Sequence, residues 1–240
     1  MQRISIQHVS KHFQIGFKKN RSVLARITDA VAGKEQKRKI LVLDAISLDI
    51  NAGEIVGIIG NNGSGKSTLL RLIAGIYLPD AGGIQTNGTI VSIINLGTAL
   101  KERLTMRENI FLVGSLFGMS RHSMLEHFDS MVEFSELTDF TETKIYQFSA
   151  GMLQRLAFSI AIHAKPDILL LDEVFEVGDE SFRKKSAEKI RALAGAGTAI
   201  VFVTHDLDMV RKQCDRVVWL ANGKVHADGT PDEVTKNYVE

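Results

Sequence analysis

One motif constrains the fold of this chain more than any other feature: Gly60-Asn-Asn-Gly-Ser-Gly65-Lys66-Ser67, which fits the pattern G-x-x-x-x-G-K-[ST]. The nearly all-apolar run at residues 54–59 comes directly before it and predicts a short buried strand. Residues 66–74 follow and have the pattern of a helix. A strand, a glycine-rich loop and a helix in this order are the setting that a phosphate-binding loop requires, so the motif predicts a P-loop NTPase.

The residue types of this loop suit the binding of a nucleoside triphosphate. Glycines let the backbone turn tightly and approach phosphate oxygens, and the amide groups at a helix N-terminus attract an anion. Lys66 brings a positive charge to the β- and γ-phosphates, and Ser67 offers a hydroxyl ligand to Mg²⁺. We therefore expect ATP and Mg²⁺ as ligands, with the nucleotide contacting Gly60, Asn61, Asn62, Gly63, Ser64, Gly65, Lys66, Ser67 and Thr68.

Two acidic residues follow a second apolar strand, and a histidine follows a third. Residues 168–171 are all apolar and precede Asp172 and Glu173, while His205 comes after the apolar run at residues 201–203 and Thr204. Asp172 fits the positioning of Mg²⁺, Glu173 the general base for the attacking water, and His205 a donor to the γ-phosphate. The plainer alternatives are an acid that caps a helix and a loop histidine without a chemical role.

The order of the remaining elements predicts an α/β fold. Strand patterns alternate with helical ones, which favours a central, mostly parallel sheet, and Asn222-Gly223 predicts the turn of a closing antiparallel hairpin. Residues 106–164 are helical in pattern and form a predicted inserted subdomain. We expect one domain over residues 1–240, with a nucleotide-binding core at about 1–95 and 165–240, an antiparallel β region, and a helical subdomain at about 96–164.

Composition excludes several classes of protein. The net charge of +1 gives no reason to expect nucleic acid as a partner, and the single cysteine, Cys214, cannot form an internal disulfide, so we expect an inert thiol. The N-terminus does not resemble a signal peptide, and the longest apolar runs have the length of strands. We therefore expect a cytosolic protein, or one held at a membrane by another molecule.

One segment has a different composition. Residues 17–40 contain eight lysines and arginines against Asp29 and Glu35. Val23, Leu24, Ile27 and Val31 lie at helical spacing within it, so the segment predicts a basic amphipathic insert. A solvated basic loop is the alternative.

A further motif gives the chain a family resemblance. Phe148-Ser149-Ala-Gly151-Met-Leu-Gln154-Arg155, shortly before the acidic strand, resembles the signature of the ABC ATPases, and all motifs occur in that family's order. The resemblance implies a homodimer, in which Ser149 and Gly151 bind the γ-phosphate held by the opposite subunit. A helix cap by Ser149 is the structural alternative.

The resemblance implies roles for three more residues. Asp179 matches the aspartate of the family's D-loop, His205 matches its switch histidine, and Phe13 lies where the family often stacks an aromatic ring on adenine, although a core phenylalanine fits as well. The chain also departs from the family pattern, because Asn95 stands where a metal-contacting glutamine is usual.

These departures resemble one subfamily, the ATP-binding subunits of bacterial polysaccharide exporters. The combination consists of Ser149-Ala-Gly-Met, the run from Asp172 to Asp179, Asn95-Leu-Gly and Thr105-Met-Arg-Glu-Asn-Ile110. The resemblance implies ATP hydrolysis that drives export of a lipid-linked, O-antigen-like glycan through a separate membrane permease, with the ATPase peripheral on the cytoplasmic face of the inner membrane. It places the basic insert near the membrane and the substrate. Some members carry an added C-terminal carbohydrate-binding domain, and we expect this chain, which ends at Glu240, to lack one.

Three alternatives remain open at this point. The chain could energise export of another substrate, act as a soluble nucleotide-gated switch without productive turnover, or be a soluble ABC ATPase that works on ribosomes or DNA. Glu173 and His205 argue against a pure switch. A single cassette without a sustained heptad pattern argues against the third alternative.

Overall fold

The computed structural model describes residues 1–15, 38–94, 99–172 and 179–239. The described strands, in chain order, are β1 (Gln2–Ile15), β2 (Arg38–Asn51), β3 (Ile55–Ile59), β4 (Ala81–Thr86), β5 (Ile90–Ser92), β6 (Ile168–Asp172), β7 (Ala199–Val203), β8 (Arg216–Ala221) and β9 (Lys224–Gly229). The described α-helices are α1 (Lys66–Ile73), α2 (Met106–Leu116), α3 (Arg121–Ser135), α4 (Ala150–His163), α5 (Glu180–Gly195), α6 (Leu207–Gln213) and α7 (Pro231–Val239), with 3₁₀ turns at Thr138–Phe140 and Ile145–Gln147.

The described strands form two sheets. The central sheet has the order β5-β6-β7-β3-β8-β9, in which β5 to β8 run parallel and β9 is antiparallel. The smaller sheet has the order β2-β1-β4 and is antiparallel. The predicted α/β class, with a mostly parallel central sheet and an antiparallel region, is therefore confirmed.

Hydrophobic side chains cover both faces of the central sheet. In β3, Ile55 and Ile59 belong to a cluster that also contains buried hydrophobic residues from α2, α3 and α4. Val56 and Ile58 belong to a second cluster, shared with α1 and the small sheet. Every residue of β3 is buried, as expected for a parallel strand with elements packed on both sides.

The sequence sets the limits of several helices. At α2, Thr105 accepts a hydrogen bond from Glu108 N–H, and the Glu108 carboxylate accepts one from Thr105 N–H, which is a capping box. At α1, Gly75 follows the last turn with φ +71°, and Ile76 N–H bonds back to Arg71 O, so a left-handed residue ends the helix. The helical pattern predicted for residues 106–164 is present as α2, α3 and α4, with the two 3₁₀ turns between α3 and α4.

Some predictions fall wholly or partly outside the described residues. Residues 17–37 of the predicted basic insert lie outside the described residues. Its last three residues, Arg38, Lys39 and Ile40, belong to β2, so the strand begins within the range predicted for the insert. Asn95 and Glu173 also lie outside the described residues. Within the described ranges, no helix has the length and apolar character that crossing a bilayer demands.

Candidate functional site

The predicted phosphate loop connects β3 to α1, as the motif requires. Gly65 caps α1 with φ +107°, and its carbonyl accepts the first helical hydrogen bond, from Leu69 N–H at 2.9 Å. The N–H groups of the first turn, including those of Ser67 and Thr68, have no carbonyl partner inside the helix. These amides make the start of α1 a site for an anion.

Neighbouring atoms and a positive φ favour glycine at two loop positions. A Cβ atom at Gly60 would overlap the carbonyl oxygen of Leu220 on β8. A Cβ atom at Gly65 would lie 2.5 Å from Leu43 Cδ2 on β2. The loop is therefore held between β8 and β2, and its shape depends on both sheets.

Lys66 is buried and is oriented by the loop itself. Its ammonium donates to Gly60 O at 2.6 Å and to Asn61 O at 3.2 Å, and its residue is only 6% exposed. Both acceptors are neutral carbonyls, which direct the ammonium without cancelling its charge. A phosphate at the start of α1 would supply the missing negative charge.

One loop hydroxyl is left without a partner. Ser64 Oγ is buried and has no hydrogen-bond partner within the described residues, while Ser64 N–H donates to Asn61 O at 3.1 Å. A buried polar atom without a protein partner is costly, and a bound water or ligand is a common source of the missing hydrogen bond. The loop thus fits a phosphate group by its amides, its ammonium and this hydroxyl.

The register of the central sheet places Asp172 and His205 at the same edge as the phosphate loop. Asp172 is the Cα partner of Val203, and Val203 is the Cα partner of Ile58, two residues before Gly60. Two strand spacings, about 10 Å, therefore separate Asp172 from Ile58 across this edge. Asp172 is half-buried, and His205 is exposed two residues beyond β7.

Magnesium is compatible with this edge of the sheet. Mg²⁺ is usually bound by one or two protein oxygens together with phosphate oxygens and water, so it does not need a cluster of protein ligands. Within the described residues there is no group of three or more His, Cys, Asp or Glu suited to a metal. The hydroxyl of Ser67 and the carboxylate of Asp172 are of the oxygen type that Mg²⁺ prefers.

Phe13 is brought toward the phosphate loop by the pairing of β1 with β2. In the pairing of β1 with β2, Lys11 is the Cα partner of Leu43, whose side chain lies against Gly65. Phe13 is the Cα partner of Ile40. Phe13 therefore lies on the small sheet, two residues along β1 from the position that pairs with Leu43.

The segment after α1 holds the Phe13 ring. The ring of Tyr77 packs edge-on against that of Phe13, with centroids 5.4 Å apart, and the ammonium of Lys11 lies 5.7 Å from the Phe13 centroid. Asp80 accepts from His12 N–H at 2.6 Å and from Lys11 at 3.3 Å, and the pKa of its carboxyl is lowered, first by the backbone N–H and further by Lys11. This end of β1 is thereby attached to the chain beyond α1.

Ser149 and Gly151 lie at the start of α4, in the helical part of the chain. The Ser149 hydroxyl accepts from Met152 N–H at 3.3 Å and its carbonyl accepts from Leu153 N–H, so both groups serve the helix's own first turn. Ser149 is exposed and Gly151 half-buried. An exposed helix start of this kind is accessible to an anion from outside the chain.

Asp179 caps α5 and is tied to α4 by an ion pair. Its carboxylate accepts from Phe182 N–H at 2.9 Å and pairs with Arg155 at 2.9 Å. The pKa of Asp179 is lowered, chiefly by the Phe182 N–H and then by Arg155. Arg155 also pairs with Glu136 at 2.7 Å and lies over the Phe182 ring, so one guanidinium joins α3, α4 and α5.

The structure shows two contacts that no sequence pattern predicts. Arg155 is part of the signature motif, but its pairing with Asp179 has no sequence signal. The hydroxyl of Tyr238, in α7, lies 3.1 Å from Asn61 Oδ1 in the phosphate loop. These two residues are 177 positions apart, and only folding brings them together.

Comparison with known proteins assigns the chain to a family. The family model described as ABC transporter matches residues 43–176, which is more than half of the chain. The chain is 45% identical over 211 residues to the O-antigen export system ATP-binding protein RfbB of Myxococcus xanthus, covering 87% of this chain and 48% of that protein. It is 40% identical over 201 residues to RfbB of Klebsiella pneumoniae, covering 84% and 82%.

A teichoic acid exporter and solved structures extend the comparison. The Teichoic acids export ATP-binding protein TagH of Listeria monocytogenes is 38% identical over 239 residues, covering 99% of this chain and 70% of that protein. An ATP-binding subunit of an ABC transporter superposes with a TM-score of 0.79 at 24% identity, covering 99% of this chain and 93% of that one. A dimeric ATP-binding cassette, MJ0796 with ADP and Pi, gives 0.77 at 24% identity, covering 95% and 98%. The chain thus spans about half the length of one relative and most of the others.

Proposed function

The chain belongs to the ABC transporter family, and we propose that it is the ATP-hydrolysing subunit of an exporter that moves a lipid-linked, O-antigen-like polysaccharide through a separate membrane permease. The observation that supports the substrate class best is the similarity to three ATP-binding proteins of glycan export, at identities between 38% and 45%. The observation that supports hydrolysis is the phosphate loop at one sheet edge with Asp172.

In this proposal the phosphate loop binds the triphosphate of ATP. The amides of residues 60–68 surround the β- and γ-phosphates, Lys66 supplies the positive charge, and the Ser64 hydroxyl gains a partner. Phe13 stacks on the adenine ring, at the far end of the nucleotide. The support is the buried ammonium held by carbonyls alone and the unpartnered buried hydroxyl.

Magnesium is held by few protein oxygens in this proposal. Ser67 and Asp172 are the described candidates, and Asn95 is a further candidate from the sequence. When bound, Mg²⁺ neutralises charge on the phosphate oxygens. Asp172 has a place at the sheet edge that suits a carboxylate ligand there.

Hydrolysis requires a base next to the phosphates, and Glu173 follows Asp172 directly in the chain. Glu173 accepts a proton from water as the water oxygen attacks the γ-phosphorus. The bond from that phosphorus to the β–γ bridging oxygen breaks, and ADP and inorganic phosphate leave. His205, which follows β7 at the same edge, donates a hydrogen bond to a γ-phosphate oxygen.

Two copies of the chain complete two sites. Ser149 and Gly151 of one copy contact the γ-phosphate that lies on the phosphate loop of the other. The exposed start of α4 supports this arrangement, because Ser149 and Ala150 lie at the surface at a helix N-terminus, which attracts an anion. Asp179 lies beside α4 through Arg155 and contributes to the same face. Closing of the two copies on ATP and opening after hydrolysis supply the movement.

The transport step takes place in a second protein. The permease spans the membrane, and this chain lies on the cytoplasmic face of the inner membrane against it. The basic insert at residues 17–40 approaches the membrane and the anionic lipid carrier of the glycan, which its eight cations suit. Nucleic acid is not a partner in this proposal.

Co-purification from membranes tests the exporter proposal. A tagged Glu173→Gln variant, which binds ATP without completing hydrolysis, is purified from detergent-solubilised membranes, and the accompanying molecules are identified. We expect a polytopic membrane protein in about equal amount, with glycan on the complex. Export of another substrate would give the membrane protein with a different cargo. Recovery with ribosomes, with DNA or alone from the soluble fraction would contradict the exporter proposal.

A further inference from the structure

The phosphate loop has a hydrogen bond to the last described helix. The hydroxyl of Tyr238 lies 3.1 Å from Asn61 Oδ1, and Asn61 is the second residue of the loop. Asn61 itself is exposed, so burial does not hold its side chain. Its orientation depends on the hydrogen bonds that it makes.

The backbone of Asn61 supports two groups of the loop. Its carbonyl oxygen accepts from Lys66 Nζ at 3.2 Å and from Ser64 N–H at 3.1 Å. A rotation of the Asn61 peptide would therefore move an acceptor away from the ammonium and from the turn that carries Ser64. An anchor on the Asn61 side chain restrains this rotation.

Packing fixes the position of Tyr238. Its ring meets that of Trp219 edge-on, with centroids 5.2 Å apart and planes at 86°. Trp219 on β8 is the Cα partner of Ile59, the last residue of β3 before the loop begins. The tyrosine is thus placed against β8, the strand that pairs with β3 where the loop begins.

The helix that carries Tyr238 is docked rather than loosely attached. Val234 and Thr235 of α7 are fully buried, and the Thr235 hydroxyl accepts from Arg211 Nε at 2.9 Å on α6. Val234 is one turn before Tyr238, so both lie on the face toward the sheet. At the start of α7, Glu233 accepts from the hydroxyl of Thr230 at 2.7 Å. The hydroxyl of Tyr238 is therefore held at a defined place.

We propose that Tyr238 is a positioning residue for the phosphate loop, which holds Asn61 and, through its carbonyl, the Lys66 ammonium in the arrangement that receives the nucleotide. The inference rests on the proposal that this loop binds ATP. Tyr238 touches neither the nucleotide nor the reacting atoms and acts through Asn61. Its loss lowers the affinity for ATP, because part of the binding energy then goes into ordering the loop.

The first test removes the hydroxyl and keeps the ring. In Tyr238→Phe, we expect the Kd for a fluorescent ATP analogue with Mg²⁺ to rise about three- to tenfold, the range set by one hydrogen bond. The melting temperature without nucleotide stays within about 2 °C of the wild type, since the ring still packs on Trp219. Tyr146→Phe, an exposed tyrosine in the helical part, is the matched control and leaves the Kd unchanged.

A double-mutant cycle separates positioning from a general effect on the fold. Asn61→Ala removes the acceptor and raises the Kd, and adding Tyr238→Phe to it gives no further increase. A Kd of Tyr238→Phe equal to that of the wild type overturns the inference, as does an additive effect in the double variant. If the wild type binds ATP while Tyr238→Phe behaves identically, the inference alone fails. If the wild type does not bind ATP, the proposed function fails with it.

Discussion

At the scale of single residues, the phosphate loop depends on glycine most where other strands approach its backbone. Gly60 meets Leu220 of β8, whereas Gly63, at φ +80°, has no heavy atom within 4 Å of an added Cβ. Both positions have a positive φ that L-residues rarely adopt, +149° at Gly60 and +80° at Gly63, but only Gly60 of the two has backbone in the space that a Cβ would fill. Alanine at Gly63 therefore costs conformational strain, whereas alanine at Gly60 also causes a clash.

We predict that Gly60→Ala destabilises the chain more than Gly63→Ala. An alanine at Gly63 costs about 1–2 kcal/mol for its left-handed conformation. An alanine at Gly60 costs a further ~1–3 kcal/mol, because β8 or the loop must shift. Urea denaturation of both variants measures the difference. Equal free energies of unfolding would mean that Leu220 does not confine the loop.

Cys214 illustrates a residue whose surroundings remove its reactivity. Its thiol is buried against Gly57, and burial, helped by Asp215, raises its pKa to about 12. The raised value means that the thiol contributes stability at pH values below its unfolded pKa, and that this stability is lost as the pH rises toward 12. At pH 8 the folded chain has on the order of a thousandfold less thiolate than an exposed cysteine.

We therefore predict slow modification of Cys214 in the folded chain. A chromogenic disulfide reagent at pH 8 labels it far more slowly than in urea, where one thiol per chain reacts promptly. Labelling of the folded chain at the rate seen in urea would show that the thiol is accessible. Addition of nucleotide should not accelerate the reaction.

At the scale of elements, one aspartate both caps α5 and links it to α4 by an ion pair. Asp179 caps α5 through Phe182 N–H, and it pairs with Arg155 on α4. The carboxylate is 61% exposed, so water and salt weaken the ion pair. The cap is the larger contribution to stability.

Substitutions at Asp179 test this ranking. Asp179→Ala removes the cap and lowers the free energy of unfolding by about 1 kcal/mol, whereas Asp179→Asn keeps a capping oxygen and is close to neutral. Chemical denaturation at neutral pH gives both values. If the asparagine variant were as unstable as the alanine variant, the ion pair rather than the cap would dominate.

The basic insert at residues 17–40 has a proposed role in transport rather than in nucleotide binding. We predict that neutralising Lys37, Arg38 and Lys39 with glutamine reduces export more than it reduces ATP binding. Removing three exposed cations elsewhere, Arg121, Lys184 and Lys236, is the matched control and should affect neither. Export in cells and nucleotide affinity in vitro are compared for both variants. An equal loss of export and of ATP binding would place the segment at the nucleotide instead.

Local patterns predicted elements better than their assembly. Asn222-Gly223 indicated a hairpin, and the structure confirms it, with both residues at positive φ as a tight turn requires. By contrast, β4 and β5 are neighbours in sequence, yet β4 joins the small sheet and β5 the edge of the central one. Strand pairing is decided by tertiary contacts, and no local pattern in this stretch distinguishes the two sheets.

At the scale of the whole molecule, the same limit applies to the site. The phosphate loop, Asp172 and His205 could be predicted to share an edge, because parallel strands place their carboxyl ends together. The contact of Tyr238 with Asn61 could not, since it joins an unremarkable tyrosine in the last helix to a loop residue far away in sequence. Long-range contacts of single polar groups have no periodicity that a sequence reveals.

We propose that this chain hydrolyses ATP with Glu173 as the base. The most direct measurement is steady-state ATP hydrolysis and ATP affinity of the wild type, of Glu173→Gln, and of Glu188→Gln, an exposed acid on α5, as control. We predict that Glu173→Gln keeps its affinity for ATP and loses about 10²- to 10⁴-fold in turnover, while the control equals the wild type. Turnover in Glu173→Gln at the wild-type rate would contradict the claim.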